Sequence, residues 1–494
     1  MDTSHPPMTH AEVRDFLSRH QDRPLSNKVL HAHPSPAFWT EDADRAALEA
    51  SWLAQARQPT QVNLYFSIPF CLPTDPPHCG FCLFPTEDYR GKTASQAYLV
   101  QLGQEVALHR HVHAGSQLES LYVGGGTPNL LNPEDYAILI GLAETLFPGQ
   151  TTGIEKTLEG IPQLFSEAKI RAIRAAGFNR ISMGVQQLTE RLIRYSGRKQ
   201  TNRQVFDTIE SCARHGLACN IDLIYAWPEQ TVSDMLAGLQ AIVASGIHHI
   251  THYELNIAGR SDFALRQRDK VPPVARKLEM YLEAQAYLRS EGFVQRTVYD
   301  WERPDTQALD SGLQASECRY EQNLRDGMDP DQPDARRYMC GFGHAAVNVR
   351  AHRAGTGVPS ISTMNHRSLS RYAQALQQGE LPIERFYVHD EEDLRLLWLF
   401  QALQEMTVDL RKYRRGFGRD FLSDFGAEAQ VLAERGWAGV QEERWVLSRT
   451  GGYHVPLIQA LLAHRRVTAL QQQSARMTRP ANTIPIHPVT SCAG

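Results

Sequence analysis

Cys71, Cys79 and Cys82 fall within one short stretch, Phe70-Cys71-Leu72-Pro73-Thr74-Asp75-Pro76-Pro77-His78-Cys79-Gly80-Phe81-Cys82. Seven residues separate the first two cysteines and two separate the second pair. Clustered thiolates suit soft metals and iron–sulfur clusters, but a complete cubane or a structural zinc site needs four protein ligands. Only three are local, and no second Cys-x-x-Cys occurs in the chain. Three thiolates on a cubane leave one iron open to a small molecule, which is how a metal site becomes reactive. Iron–sulfur is the preferred reading, with an incomplete zinc site and buried free thiols as the alternatives.

Polar residues at strand ends supply a second set of candidates. Gly124-Gly125-Gly126-Thr127-Pro128 follows an apolar run, where residues without side chains would let a ligand approach the backbone amides. A plain tight turn explains a triple glycine equally well. Glu159 closes a third run ahead of Gly160-Ile161-Pro162. Gln186 closes a fourth, and Asp222 lies in a fifth, with Pro228 just beyond. Their recurrence at successive strand ends points to one ligand pocket.

The elements that must position these residues alternate along the chain. Strands are expected at Asn63–Ser67, Ser120–Val123, Lys156–Glu159, Arg180–Val185, Ala218–Ile224 and Ile250–Leu255. Helices are expected between them. In Ser95–His113, Leu99, Leu102 and Val106 recur at helical spacing, as do Val205, Ile209 and Cys212 in Arg203–His215. Strand–helix alternation implies a parallel sheet, as an α/β barrel or an open doubly wound sheet. Reactive groups then sit past the C-terminal ends of the strands.

At 494 residues the chain exceeds one ordinary domain. Its 51 basic and 55 acidic residues nearly cancel, so no electrostatic footprint for nucleic acid or an anionic membrane is expected. The N-terminal stretch is polar and proline-interrupted, with no signal-peptide core, and no run is apolar enough to span a membrane. Eight cysteines in this length form no disulfide framework, which fits a reducing cytoplasm.

In order along the chain, Leu64-Tyr65-Phe66-Ser67-Ile68-Pro69-Phe70-Cys71, Gly124–Pro128, Glu159–Pro162, Arg180–Gln186, Arg198, Asn220–Tyr225 with Pro228–Thr231, and Cys340-Gly341-Phe342-Gly343 carry a family resemblance. The chain resembles the radical S-adenosylmethionine enzymes of the oxygen-independent coproporphyrinogen III dehydrogenase (oxidase) group over roughly residues 60 to 460. The resemblance implies a partial (β/α)6 TIM-like barrel with a smaller helical, winged-helix-like C-terminal domain. It also implies a [4Fe-4S] cluster on Cys71, Cys79 and Cys82, whose open iron chelates S-adenosylmethionine. One electron then splits the cofactor to methionine and a 5′-deoxyadenosyl radical.

Carried over residue by residue, Tyr65, Phe81, Gly124, Gly125, Gly126 and Thr127 would line the cofactor. Glu159, Gln186, Arg198 and Asp222 would contact its polar groups. Asn256 and Val347 resemble surroundings of the first or of a second S-adenosylmethionine, and His344 is a candidate substrate contact. The implied partners are a tetrapyrrole-like small molecule and a flavodoxin- or ferredoxin-type electron donor, with the chain a monomer. Radical methyl transfer with a second S-adenosylmethionine, anaerobic haem degradation and a non-enzymatic haem carrier are the alternative activities.

The departures are specific. The group's first cysteine gap is three residues, against seven here. Leu83 and Phe84 stand where the dehydrogenase carries a further cysteine, Ser67 replaces a usual histidine, and His344 replaces a common small residue. His109, His111 and His113 are expected as cations at a helix end. His248, His249 and His252 flank the sixth strand. Cys212 and Cys219 are expected as buried thiols, while Cys318 and Cys340 lie nearer the substrate side in the group's layout.

The expected organisation is an N-terminal extension (1–60), the barrel (61–300), a barrel-completing and second-ligand segment (301–389), a C-terminal lid (390–470) and a disordered tail (471–494). In the lid, Glu391–Glu405 is helical with Leu394, Leu397 and Trp398 on one face. Trp437–Val440 and Arg444–Leu447 make a hairpin.

Overall fold

Alternating side chains make β1 (Thr60–Ile68) two-faced. Val62, Leu64, Phe66 and Ile68 are fully buried on the side facing the helices, and Asn63, Tyr65 and Ser67 point the other way. The next strands are β2 (Ser116–Gly125), β3 (Glu155–Gly160), β4 (Arg180–Gln186), β5 (Ala218–Tyr225) and β6 (His249–Glu254). All six fall where the sequence places them, and each pairs in parallel with the next. The computed structural model describes residues 7–22, 32–57, 60–257, 259, 261–304, 336–352 and 357–477.

The inner face of the array is polar and internally bonded. Ser120 Oγ donates to Asn63 Oδ1 at 2.7 Å across β1 and β2. Asn220 Nδ2 donates to Ser182 Oγ at 3.1 Å and to Asp222 Oδ1 at 2.7 Å, and Thr251 Oγ1 donates to Asn220 Oδ1 at 3.2 Å. Buried polar groups that bond one another cost little and fix the register of the strands that carry them.

Further strands extend the array at both edges: β7 (Asp300–Glu302), β8 (Arg336–Phe342), β9 (Val347–Arg350), β10 (Ser360–Asn365) and β11 (Ile383–His389). The sheet order is β11-β10-β9-β8-β1-β2-β3-β4-β5-β6-β7, with Val294–Gln295 beyond β7. β8 runs parallel to β1, and β7 and β9–β11 are antiparallel.

The helices that matter below are α1 (His10–His20), α2 (Arg45–Arg57), α3 (Lys92–His109), α4 (Asn202–Arg214), α5 (Val274–Ser290), α6 (Glu391–Gln404), α7 (Phe421–Glu434), α8 (Val455–Leu462) and α9 (His464–Met477). α4 shows why they form. Thr201 and Gln204 close a capping box at its start, and Val205, Ile209 and Cys212 bury one stripe.

Three expectations about the ends of the chain change. α6 is buried on all sides, its Leu394, Leu396, Leu397, Trp398, Leu399 and Phe400 all inside, so Leu394, Leu397 and Trp398 are not a single covering stripe. α1 packs on α7 and α8 through Val13, Phe16 and Leu17, making the N-terminal segment part of the C-terminal body. α9 runs to Met477, seven residues into the expected tail; residues 478–494 lie outside the described residues.

The expected hairpin forms as Ala438–Gln441 and Arg444–Leu447, with Thr407–Asp409 as an added third strand. This body meets the barrel at the C-terminal ends of β5 and β6. Its Gly452, Tyr453 and Pro456 meet Tyr225, Glu254, Tyr281 of α5 and Tyr299 around a small cavity.

Candidate functional site

The three thiols stand past the end of β1, in a loop pinned at several points. Phe70–Cys71 bridges in parallel to Glu87–Asp88, and Tyr89 N donates to Cys71 O at 2.9 Å. Thr74 Oγ1 accepts from Cys79 N at 2.9 Å and donates to Pro76 O at 2.8 Å, which ties the long insert to the second cysteine. His78 and Cys79 both take left-handed backbone angles, φ 53° and 54°, so the chain turns sharply at the thiol. The insert also rests on Gly197, where a Cβ would come within 2.2 Å of Asp75 O. The seven-residue gap is therefore a built loop seated beside Arg198.

All three thiols are half-buried. Burial pushes the Cys71 and Cys82 thiols up; neighbouring cysteines push them further, and Arg198 opposes this. Thr127 Oγ1 donates to Cys71 Sγ at 3.4 Å. Among the described residues no three His, Cys, Asp or Glu side chains are arranged around a single metal ion. A cubane distributes its thiolates over separate irons, so it does not need them to meet at one point.

The glycine turn does something other than expected. Gly126 N donates to Ile68 O and Thr127 N to Phe70 O, both at 2.7 Å. A Cβ on Gly126 would lie 2.5 Å from Phe70 O. These amides are used by the cysteine loop, and the glycines are there so that two backbones can touch. Gly125 takes φ 107°, which a side chain would strain. Gly124 faces the pocket instead: a Cβ there would meet Glu159 Oε2 at 2.7 Å and the Tyr65 hydroxyl at 2.9 Å.

Around Gly124 the side chains form one wall. Tyr65 stacks on Tyr122 with centroids 6.0 Å apart, and the Tyr122 hydroxyl donates to Glu159 Oε1 at 2.8 Å. Tyr122 was not among the sequence candidates. Its position two residues after Ser120, on the same strand face, was the available signal.

Gln186 ends β4 at φ 66°, across a register shift, and its Oε1 is buried with no hydrogen-bond partner. The Arg198 guanidinium bonds Gly184 O and, at 2.8 Å, Gln200 Oε1, so it braces this strand end while facing the thiols. Asp222 lies deeper, bonded to Asn220 and, at 3.2 Å, to Ser182 Oγ. Burial pushes its carboxyl up to about 6 against those bonds.

Other candidates fall elsewhere. Phe81 packs edge-on to Trp227 at 5.5 Å and against Phe263, within an apolar cluster. Asn256 follows β6 and Val347 opens β9, on opposite sides of the parallel array. His344 is buried beside the end of β1. Its backbone N donates to the Tyr98 hydroxyl at 3.0 Å, and its Nε2 meets Arg367 O at 2.9 Å. Cys340 pairs in register with Leu64, on the face away from Tyr65, and cannot act as a donor in the pocket. Cys318 lies outside the described residues.

His109 and His113 are buried and pack on Phe342. Burial holds His109 at about 3, so these are neutral core residues and not helix-end cations. His249 is buried on the inner face 3.5 Å from Asp300, and the His252 ring lies tilted against Tyr225, centroids 4.8 Å apart. Cys212 and Cys219 are buried, as expected.

Comparison with known proteins accords with this geometry. The Radical SAM superfamily model matches residues 76–242. The oxygen-independent coproporphyrinogen III oxidase of Helicobacter pylori is 23% identical over 437 residues, covering 85% of this chain and 90% of that protein. The heme chaperone HemW of Mycobacterium tuberculosis is 28% identical over 393 residues, covering 76% and 91%. Among solved structures, coproporphyrinogen III oxidase (HemN) from Escherichia coli superposes with a TM-score of 0.71 at 22% identity, over 87% of this chain and 96% of that one. That likeness shows the fold: an α/β barrel with a helical C-terminal region.

Proposed function

We propose that this chain, which carries a radical SAM domain and resembles the oxygen-independent coproporphyrinogen III oxidases, is a radical S-adenosylmethionine enzyme. The observation that carries the reading is the grouping of three half-buried thiols, facing Arg198, beside the orphaned Gln186 Oε1. A buried amide oxygen without a partner is costly unless a ligand donor meets it. The donor set also fits: three thiols for a [4Fe-4S] cluster, and a carboxylate, an amide and hydroxyls for an amino acid and a ribose.

When bound, the cluster and S-adenosylmethionine supply a carbon-centred radical by one-electron cleavage of the cofactor. The chain's own residues bind and orient. Cys71, Cys79 and Cys82 would hold the cluster. Glu159, fixed by Tyr122, accepts hydrogen bonds next to Gly124, where the missing side chain leaves room. Gln186 accepts one more, and Arg198 holds the strand end that presents it. Asp222 anchors the inner-face ladder beneath. For the substrate, the resemblance favours oxidation of a tetrapyrrole; radical methyl transfer with a second S-adenosylmethionine is the rival chemistry.

Anaerobic reconstitution with reductant and S-adenosylmethionine tests the reading. The expected products are methionine and deoxyadenosine; S-adenosylhomocysteine would point to methyl transfer. The haem-chaperone relative supports a second reading, a haem carrier. Tight haem binding by cluster-free protein, together with no deoxyadenosine from the reconstituted protein, would replace the enzyme with the carrier.

A further inference from the structure

On the outer face of β8 and β9 the fold buries a cation that no carboxylate among the described residues neutralises. Arg350 ends β9 and is only 3% exposed, and its Nε and Nη1 have no hydrogen-bond partner. An arginine side chain does not shed its proton in a protein, so this charge is permanent. Trp52 of α2 stacks on it, with the guanidinium carbon 5.1 Å from the ring centroid, which offsets only part of the lost hydration. The protein groups that favour its charge are the Cys340 thiol and the Tyr338 phenol, and neither is a carboxylate.

Among the described residues the neighbours add no counter-charge; Gln55 brings an unpartnered acceptor, Oε1, as well as the donor Nε2. Gln55 Nε2 donates toward His113 Nδ1 at 3.4 Å and toward Cys340 Sγ at 3.9 Å. An amide donor at Nδ1 places the ring proton of His113 on Nε2, and that buried Nε2 has no acceptor. Burial holds His109 and His113 neutral and pushes the Cys340 thiol up, so the guanidinium stands as the fixed charge of the compartment. Buried charges in folded proteins are paired, because an isolated one is strongly destabilising.

We propose that the compartment between α2, the Arg110–His113 turn and β8–β9 binds one small monovalent anion, held by the Arg350 guanidinium with His113 Nε2–H as a second donor. The charge balance selects the class. One fixed positive charge matches one negative charge, and a divalent oxyanion would leave an excess buried charge of the opposite sign. The aromatic wall of Trp52 and Phe342 favours a weakly hydrated ion such as a halide. The bound anion would tie α2 to the strand that carries Gly341–Phe342, independently of the cofactor site.

Thermal unfolding of the full-length, cluster-free protein at constant ionic strength tests this, with gluconate replaced stepwise by bromide or by formate. The expected result is a saturable rise in Tm of a few degrees with at least one of these ions. Formate alone succeeding would narrow the occupant to a carboxylate. The rise should vanish in Arg350→Met. Crystals grown in bromide should show anomalous density within hydrogen-bonding reach of Arg350 Nε, a readout that does not depend on the variant folding. Equal Tm in all three salts, or crystals without bromide or formate at Arg350, would overturn the proposal.

Discussion

Two regions of this molecule bury polar side chains in opposite ways. At the barrel mouth, Gln186 Oε1 and Ser67 Oγ are buried without partners. Where the C-terminal body meets β11, Asp393 is surrounded by donors. Arg466 contacts both its oxygens at 2.8 Å, the Tyr387 hydroxyl donates at 2.8 Å, and His33 Nε2 lies 3.4 Å away. The second arrangement holds the fold together. The first leaves bonding capacity that only a ligand can use, and that asymmetry separates a site from a scaffold more sharply than burial does.

The largest expected effect falls on the mouth. Cys79→Ala should reduce reconstituted iron from about four per chain, as in cubane sites, to near none, and abolish deoxyadenosine formation. The apo-protein should unfold at the same temperature as wild type. Iron analysis, product chromatography and a thermal melt check all three; deoxyadenosine from the variant would sink the ligand assignment.

Asp393→Ala should show the reverse pattern. Removing one partner of a buried ion pair costs about 3–5 kcal/mol, because the other charge is left stranded. Chemical denaturation should detect that loss, while the folded fraction keeps wild-type cofactor affinity. Acid should mimic the variant. Burial alone would raise the Asp393 carboxyl, but hydrogen bonds from His33 and Arg466 outweigh it and hold it well below the usual range. A depressed carboxyl stabilises above its unfolded pKa, so this contribution is full near neutrality and fades as pH falls below about 4. Asp393→Asn should flatten that acid limb. A mutant with normal stability and weak cofactor binding would erase the contrast between the regions.

Arg198→Ala comes next. Its guanidinium braces Gly184 O and faces the thiols, so loss of charge-assisted bonds should weaken S-adenosylmethionine binding about 10- to 150-fold, or about 1.5–3 kcal/mol. Iron content should not change. Equilibrium dialysis on reconstituted protein decides it, and unchanged affinity would confine Arg198 to bracing.

Much of this was readable from one sequence, for a physical reason. The six parallel strands are local apolar runs, and Glu159 and Gln186 close them, so strand position alone puts both at the mouth. What was hidden depends on partners distant in the chain. The amides of Gly126 and Thr127 looked free because the carbonyls that take them, Ile68 and Phe70, lie more than fifty residues earlier, at and just past the end of β1. His109 and His113 looked like helix-end cations because Phe342, which covers them, is more than 200 positions away. The Val13, Phe16 and Leu17 stripe of α1 had helical spacing, yet nothing local shows that it meets α7, where His10 bonds Gln430 across 420 residues.

The smallest effect is the sharpest test of the comparison. Gln186→Ala removes a buried amide whose oxygen has no partner. If the mouth is built for a ligand, the folded protein should lose no stability, since deleting an unsatisfied buried group relieves a desolvation cost. Affinity for S-adenosylmethionine should fall by about 2- to 13-fold, the worth of one neutral hydrogen bond of about 0.5–1.5 kcal/mol. Stability and affinity therefore move apart at Gln186, as they do at Asp393 in the opposite sense. A thermal melt without cofactor and a binding isotherm on the same preparation read both. A variant that melts several degrees lower with unchanged affinity would mean that Gln186 serves the scaffold, and the distinction between the two regions would fail at its most exposed point.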